Sequence, residues 1–253
     1  MSELQALIFD VDGTLADTER DGHRVAFNRA FEEFDLDWFW DEELYGKLLT
    51  VTGGKERMAY YLNEFNTRYP QTDDTPELIV KLHQAKTRHY TELLATGAIP
   101  LRPGVKRLIE EAREAGLRIA IATTTTPDNV TALLEHALAP GSCDWFDVIA
   151  AGDIVPAKKP AADIYFYALE KMQLSADQCL AFEDSLNGIK SSMGAGLQTI
   201  ITVNGYTEQD DFSGAALVLD QLGEPDAGFR TLAGDDMGYS YVSVELLKKI
   251  HAN

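Results

Sequence analysis

The chain has 253 residues, 45% of them hydrophobic and 25% charged, an ordinary globular composition long enough for one core domain plus an insert. Against 22 basic residues stand 41 acidic ones, a net charge of -19 that argues against a nucleic acid or an anionic membrane as partner. An anionic substrate on such a chain needs a local patch of cations or a metal ion.

Cys143 and Cys179 lie far apart with no His or Cys at metal-ligand spacing, so neither a zinc site nor a disulfide framework is expected. A reducing, cytoplasmic setting is the default. The opening residues Met1-Ser2-Glu3-Leu4-Gln5 lack the basic and apolar stretches of a secretory leader, and no run is long enough to span a bilayer.

The first element in chain order is an apolar run, Leu7-Ile8-Phe9, that ends abruptly in Asp10-Val11-Asp12-Gly13-Thr14-Leu15. The run reads as a buried strand delivering acids to its C-terminal mouth, where open parallel sheets keep their ligands. Alternation along a strand puts Asp10 and Asp12 on one side and Val11 on the other. Two acids held together call for a cation, and Mg²⁺ suits paired carboxylates better than softer metals do. An Asp-rich turn closing a strand is the competing reading.

Beyond Leu15 helical spacing takes over, with Thr18 as a candidate N-cap and Val25, Ala26, Phe27, Ala30, Phe31 and Phe34 on one face. Amphipathic helices are predicted over residues 42–49, 55–69 and 76–95, the last with Pro76 in its first turn and Gly97 beyond its end. A helical block inserted after the first strand predicts a cap domain over residues 17–98, with residues 1–16 and 99–253 forming the core. From Gly104 the pattern alternates: helices over 104–115, 128–138, 161–172 and 185–193 interleave with strands over 117–122, 148–150, 179–182 and 197–202. A weaker strand at 217–219, a Gly-rich acidic loop over 223–236 and a helix over 244–250 complete the chain. Such alternation predicts an α/β fold with a doubly wound parallel sheet.

Four further stretches carry possible chemistry. The strand ending in Thr123-Thr124-Thr125-Thr126-Pro127 offers a hydroxyl and free N–H groups before a helix, which can hold a phosphate oxygen or simply cap the helix. Lys158-Lys159-Pro160 precedes another helix, where a solvated turn is the usual reading. Leu180-Ala181-Phe182-Glu183-Asp184 repeats the opening logic of an apolar strand followed by two acids, although acids also cap helices. Within the helical block, Thr52-Gly53-Gly54-Lys55-Glu56-Arg57 sets glycines ahead of a helix start with two cations, suited to a second anionic group. Lys55 reads equally as a solvated charge. Asp17, Glu19, Arg20 and His23 leave the core near the same cleft, His23 equally a packing residue.

Asp10-Val11-Asp12-Gly13-Thr14-Leu15, the strand ending in Thr123, Lys159-Pro160 and the Phe182-Glu183-Asp184-Ser185 run with Gly188 occur in the order of the four motifs of the haloacid dehalogenase-like hydrolases. The chain resembles that superfamily on both flanks of the helical insert. The resemblance implies a Rossmann-like core with an α-helical cap, and an aspartyl phosphate on Asp10 with Asp12 as general acid and base. It further implies Thr123 and Lys159 at the phosphoryl group. Mg²⁺ would be held by Asp10, the Asp12 carbonyl and Asp184, with Glu183 a ligand or the holder of a coordinated water.

Residues 17–28, the 52–57 run and residues 122–126 together resemble the CbbY-type phosphatases of photosynthetic and autotrophic organisms. That resemblance implies conversion of xylulose 1,5-bisphosphate, an inhibitor of Rubisco, to xylulose 5-phosphate. Asp17, His23, Gly54, Lys55, Arg57, Thr123, Thr124 and Lys159 would then contact the substrate. A small phosphorylated sugar is the expected partner, and a monomer the expected state. A phosphomutase of the β-phosphoglucomutase type, or a phosphatase of another small phosphorylated metabolite, shares the same four motifs.

Overall fold

Ala6, Leu7, Ile8 and Phe9 form the central strand β1 (Ala6–Phe9), buried on both faces; the computed structural model describes residues 2–253. Two-sided burial is why the run is unbroken apolar, since alternate side chains feed two different cores. Leu7 and Phe9 face a core that holds Ile119, Ile121, Leu180 and Phe182, with the Phe9 and Phe182 rings stacked at 4.6 Å. Ala6 and Ile8 face the opposite way, onto the small side chains of Ala120, Ala122, Cys179 and Ala181.

After β1 the chain makes a π-helical turn, Glu19–His23, that runs into α1 (Arg24–Glu33), followed by α2 (Glu42–Leu48), α3 (Gly54–Glu64) and α4 (Thr75–Ala95). These helices have a core of their own, rich in aromatic rings: Phe27, Phe31, Trp38, Trp40, Tyr45 and Tyr61. Phe31 meets Trp40 edge-on with centroids 4.9 Å apart, a geometry that aromatic quadrupoles favour. Asp41 caps α2 by accepting the Leu44 N–H at 2.8 Å. Gly46, in the middle of α2, costs about 1 kcal/mol of helix propensity. Its reason is contact: a Cβ there would stand 3.2 Å from the Tyr206 ring, which reaches across from the sheet domain.

The chain returns through a two-residue bridge between Ala16 and Leu101, reinforced by the Arg102 N–H on the Leu15 carbonyl at 2.8 Å. Then follow α5 (Val105–Glu114), β2 (Arg118–Ala122), α6 (Pro127–Leu133), β3 (Val148–Ala150), α7 (Asp163–Met172), β4 (Cys179–Glu183) and α8 (Leu186–Gly194). Strands β5 (Gln198–Thr202), β6 (Leu217–Leu219) and β7 (Thr231–Gly234) and helix α9 (Val244–His251) complete the fold. Helices α5, α6 and α9 cover one face of the sheet, and α7 covers the other.

The sheet has seven strands in the order β3-β2-β1-β4-β5-β6-β7, parallel throughout except for β7. Phe9 stands opposite Ile121 on one side and Phe182 on the other, so β1, β2 and β4 end at one level. Strand order reverses at β1, and the crevice outside such a switch point is where open sheets bind ligands. Among the described residues no helix is long and apolar enough to cross a membrane.

The doubly wound sheet and the helical insert are as expected, with four local differences. The 223–236 loop contains β7, an exposed edge strand that pairs antiparallel with β6 through Val218 and Ala233. Its Gly-rich sequence carries no alternation, so backbone pairing alone makes it a strand. The predicted helix over 55–69 stops at Glu64, where the Asn66 N–H closes back onto the Tyr61 carbonyl at 2.8 Å. The 128–138 helix changes to a π-helical turn over Leu134–Leu138. Thr18 does not cap its helix: its hydroxyl donates to Asp12 Oδ1 at 2.6 Å.

Candidate active site

A cavity of about 220 Å³ lies between the strand ends and the helical insert. Asp10 reaches its floor from β1, with its N–H tied to the Phe182 carbonyl at 3.0 Å. Its Oδ1 accepts from Lys159 Nζ at 2.6 Å, and the same ammonium donates to Glu183 Oε1 at 2.6 Å. Tyr165, on α7, donates its hydroxyl to that Glu183 oxygen at 2.6 Å. Glu183 Oε2 is buried without a partner, and Gly188 has no side chain because a Cβ would overlap that oxygen.

Three carboxylates meet here: Asp10, Glu183 and Asp184 each place an oxygen within 4.8 Å of the others, all buried. Burial pushes the Asp10 carboxyl up to about 8, helped by the charges of Glu183 and Asp12 and opposed by Lys159. Burial likewise raises Asp184 well above the usual carboxylate range, with Asp10 and Glu183 adding to it. Burial opposes the charge on Lys159, but Asp10 and Glu183 outweigh it and raise its pKa. One ammonium thus bonds two of the three acids, while the Arg102 guanidinium and then Lys159 act on Asp184 from further off. The orphaned Glu183 oxygen and an all-oxygen donor set are what a hard divalent cation would satisfy.

Asp12, two residues on, has different neighbours. Its Oδ1 accepts from Thr18 and lies 2.7 Å from His23 Nε2, while His23 Nδ1 lies 2.9 Å from Lys86 Nζ. An ammonium can only donate, so Nδ1 is the acceptor and the ring presents Nε2–H to Asp12; the tautomer is assigned from this network. Burial works against ionisation of Asp12, yet His23, Thr18 and Lys86 hold its carboxyl well below the usual range. The two acids of one strand end therefore differ in protonation because their partners differ.

Thr123, at the end of β2, anchors its N–H on the Ala150 carbonyl at 2.9 Å and accepts the Thr125 N–H at 3.3 Å. From the cap side Arg57 closes the cavity: its Nη1 donates to the Tyr45 hydroxyl at 2.7 Å and lies 3.6 Å from Glu19 Oε2. Tyr45 in turn donates to Glu19 at 2.5 Å.

Of the residues singled out in the sequence, Asp10, Asp12, Glu19, Thr52, Arg57, Thr123, Thr124, Lys159, Glu183 and Asp184 all lie on the cavity wall. Asp17, His23, Gly54 and Lys55 do not. His23 stands behind Asp12, and Asp17 pairs with Arg102 at 3.4 Å beside a separate recess. Gly54 is a packing position, where a Cβ would meet the His83 ring at 2.7 Å. Lys55 binds Asp153 at 2.6 Å, and Lys158 binds Glu56 at 2.8 Å and Asp153 at 2.9 Å, so these cations join the cap to the core. Lys86, Tyr45, Tyr165, Asn187 and Asn204 belong to the site or its supports without any motif to mark them.

Residues 4–196 match the haloacid dehalogenase-like hydrolases, and the chain belongs to that family. It is an enzyme of the phosphatase class. Within the family it is 50% identical over 225 residues to the plasmid protein CbbY of Cupriavidus necator, an alignment covering 88% of this chain and 87% of that one. The crystal structure of CbbY from Rhodobacter sphaeroides in complex with phosphate is similar with a TM-score of 0.79 and 47% identity, covering 86% of this chain and 94% of that one. A variant of the same R. sphaeroides protein, in complex with xylulose 1,5-bisphosphate, is similar to the same degree.

Proposed function

We propose that the chain is a Mg²⁺-dependent sugar-bisphosphate phosphatase, acting on xylulose 1,5-bisphosphate to give xylulose 5-phosphate and so removing an inhibitor of Rubisco. The observation that carries the reading is the convergence of Asp10, Glu183 and Asp184 at the mouth of the central strand, with the Lys159 ammonium bonded to the first two. The bisphosphate complex of the R. sphaeroides relative supports the substrate. The division we assign is residues 1–16 and 99–253 for the core and 17–98 for the cap; the aromatic cluster of the helical part supports it, while Ala26, Tyr90 and Leu94 pack into the core's cluster where the two parts join.

Asp10 is the nucleophile. Its carboxylate attacks phosphorus, the P–O bond to the sugar breaks, and an aspartyl phosphate is left on Asp10. Lys159 opposes the burial that raises the Asp10 carboxyl, so favouring its ionised form, and offsets charge on the phosphoryl group, while the Thr123 hydroxyl and the Thr124 backbone bind its oxygens. Asp12 protonates the leaving alkoxide; the arriving phosphate dianion, a like charge close by, raises its pKa toward that task. Asp12 then takes a proton from the water that attacks phosphorus, releasing inorganic phosphate and free Asp10. His23, through Nε2–H, orients Asp12 in both steps. Asp10, the Asp12 carbonyl and Asp184, with Glu183 close by, would hold Mg²⁺, which would favour the Asp10 carboxylate and neutralise charge at the phosphoryl oxygens. Arg57 grips the second phosphate from the cap.

Incubation with xylulose 1,5-bisphosphate and Mg²⁺ tests the reading: sustained release of one phosphate per sugar is expected, whereas isomerisation without net release indicates a mutase. Asp10→Asn should lower that release by roughly 10⁴-fold or more with the fold intact. An unchanged rate would remove Asp10 as nucleophile.

A further inference from the structure

The two carboxylate oxygens of Asp184 have unequal surroundings. Oδ2 accepts a hydrogen bond from Asn204 Nδ2 at 2.7 Å, and it lies so near the backbone of Gly13 that a Cβ there would overlap it. Both neighbours are held in place. Gly13 adopts φ 86°, a left-handed conformation that favours glycine; its N–H bonds the Ala16 carbonyl at 2.8 Å and its own carbonyl accepts from the buried Arg102 guanidinium. The Asn204 side chain is oriented by its Oδ1, which accepts the Tyr206 N–H at 2.9 Å, while its backbone N–H donates to Thr207 Oγ1 at 3.0 Å. With the amide oxygen committed to a backbone donor, the amide nitrogen is the atom that faces Asp184. Oδ2 is thus enclosed by a donor on one side and backbone on the other, and Oδ1 is left for the cluster with Asp10 and Glu183.

We propose that Asn204 is a positioning residue that makes Asp184 a one-oxygen ligand, and thereby favours a small octahedral cation over Ca²⁺. The proposal rests on the divalent-ion reading above. Mg²⁺ takes six oxygens, one from each ligand, at about 2.0–2.1 Å, whereas Ca²⁺ takes roughly six to eight at about 2.3–2.6 Å and often uses both oxygens of a carboxylate. An Asp184 with Oδ2 withdrawn can satisfy the first demand but not the second. Asn204 comes from the loop after β5, outside the four motifs, so it adds selectivity to a ligand set that those motifs alone leave unselective.

Isothermal titration of the full chain with MgCl₂ and with CaCl₂, without substrate, is the test, applied to the wild type, Asn204→Ala and Asn204→Asp, with Asp184→Ala to assign the heat to this site. Asn204→Asp keeps an acceptor for the Tyr206 N–H and so preserves the turn, while removing the donor to Asp184; its extra charge strengthens both ions and leaves their ratio informative. The ratio of Ca²⁺ to Mg²⁺ dissociation constants should fall by roughly tenfold in both variants, at the lower end of effects seen when the hydrogen-bond partner of a metal ligand is removed. Phosphate release should become correspondingly more sensitive to added Ca²⁺. A ratio within about twofold of wild type in the variants overturns the proposal and leaves Mg²⁺ dependence standing. A wild-type chain that binds Mg²⁺ no better than Asp184→Ala overturns the divalent-ion reading itself.

Discussion

The floor and the roof of the cavity are built on different physics. On the floor, Asp10, Thr123, Glu183 and Asp184 sit at or next to the ends of parallel strands that share one register, so their spacing is set by backbone hydrogen bonds. On the roof, Arg57 and Glu19 belong to helices whose aromatic core is separate from the sheet's. At the cavity rim that roof meets the floor through polar pairs, Lys55–Asp153, Lys158–Glu56 and Asn187–Thr52, and through Tyr206 against Gly46, while at its base Ala26, Tyr90 and Leu94 join the apolar cluster of the sheet. The lesson is a division of labour. Groups that must hold atoms to a fraction of an ångström hang on the sheet, and groups that recognise the rest of the substrate hang on a part whose rim is joined to it by solvated polar pairs.

The largest test of this division is Lys159→Ala. Removing the one ammonium that faces Asp10 and Glu183 leaves buried carboxylates uncompensated, and metal-free protein should lose about 3–5 kcal/mol in denaturant unfolding. Added Mg²⁺ should restore part of that loss. A metal-free variant as stable as the wild type would mean that Lys159 does not offset the buried charge of Asp10 and Glu183.

Arg57→Ala probes the roof. The value of kcat/KM for a sugar bisphosphate should drop roughly 10²-fold, the scale of truncating one member of a buried charge contact. A sugar monophosphate should change only a few-fold, and equal losses on both would deny the cap its part in recognition.

Smaller still is the effect expected at the joint between the two halves. Lys158 and Glu56 are partly solvated, so Glu56→Gln should change stability by only about 0.2–1 kcal/mol, and raise KM a few-fold. High salt should reproduce the KM change in the wild type and add little in the variant.

Acid should weaken the fold through His83. Burial, with the charges of Lys86, Lys55 and Lys158, lowers His83 from 6.5 to about 3. Between those values the unfolded chain binds a proton that the folded one refuses, so stability is full above about pH 6.5 and declines as pH falls toward 3. His83→Gln should flatten that decline, and an unaltered pH profile would place the acid sensitivity elsewhere.

Legibility differed between the halves in the same way. The floor could be read from the chain because an apolar run and the acid that follows it are neighbours in sequence: Leu7 to Asp10 and Leu180 to Asp184 each contain a strand and its product. The roof could be read only in outline. Helical spacing located the insert, but Lys55 bears the same charge whether it grips a phosphate or Asp153, and only the fold brings Asp153 to it. Thr18 is a residue type that caps helices, yet its hydroxyl donates to Asp12, which the turn at Gly13 brings back beside it.

Local order along the chain determined the sheet, the helical insert and the identity of the acids, since strand and helix periods and the residues that end them are short-range properties. Tertiary structure alone decided which charge faces which. Lys159 and Asp10 are 149 residues apart, and Lys86 and His23 are 63 apart, so nothing local links them. The difference in protonation between Asp10 and Asp12 depends on those distant partners, because burial and neighbouring charge are properties of a place in the fold and not of a residue in the chain.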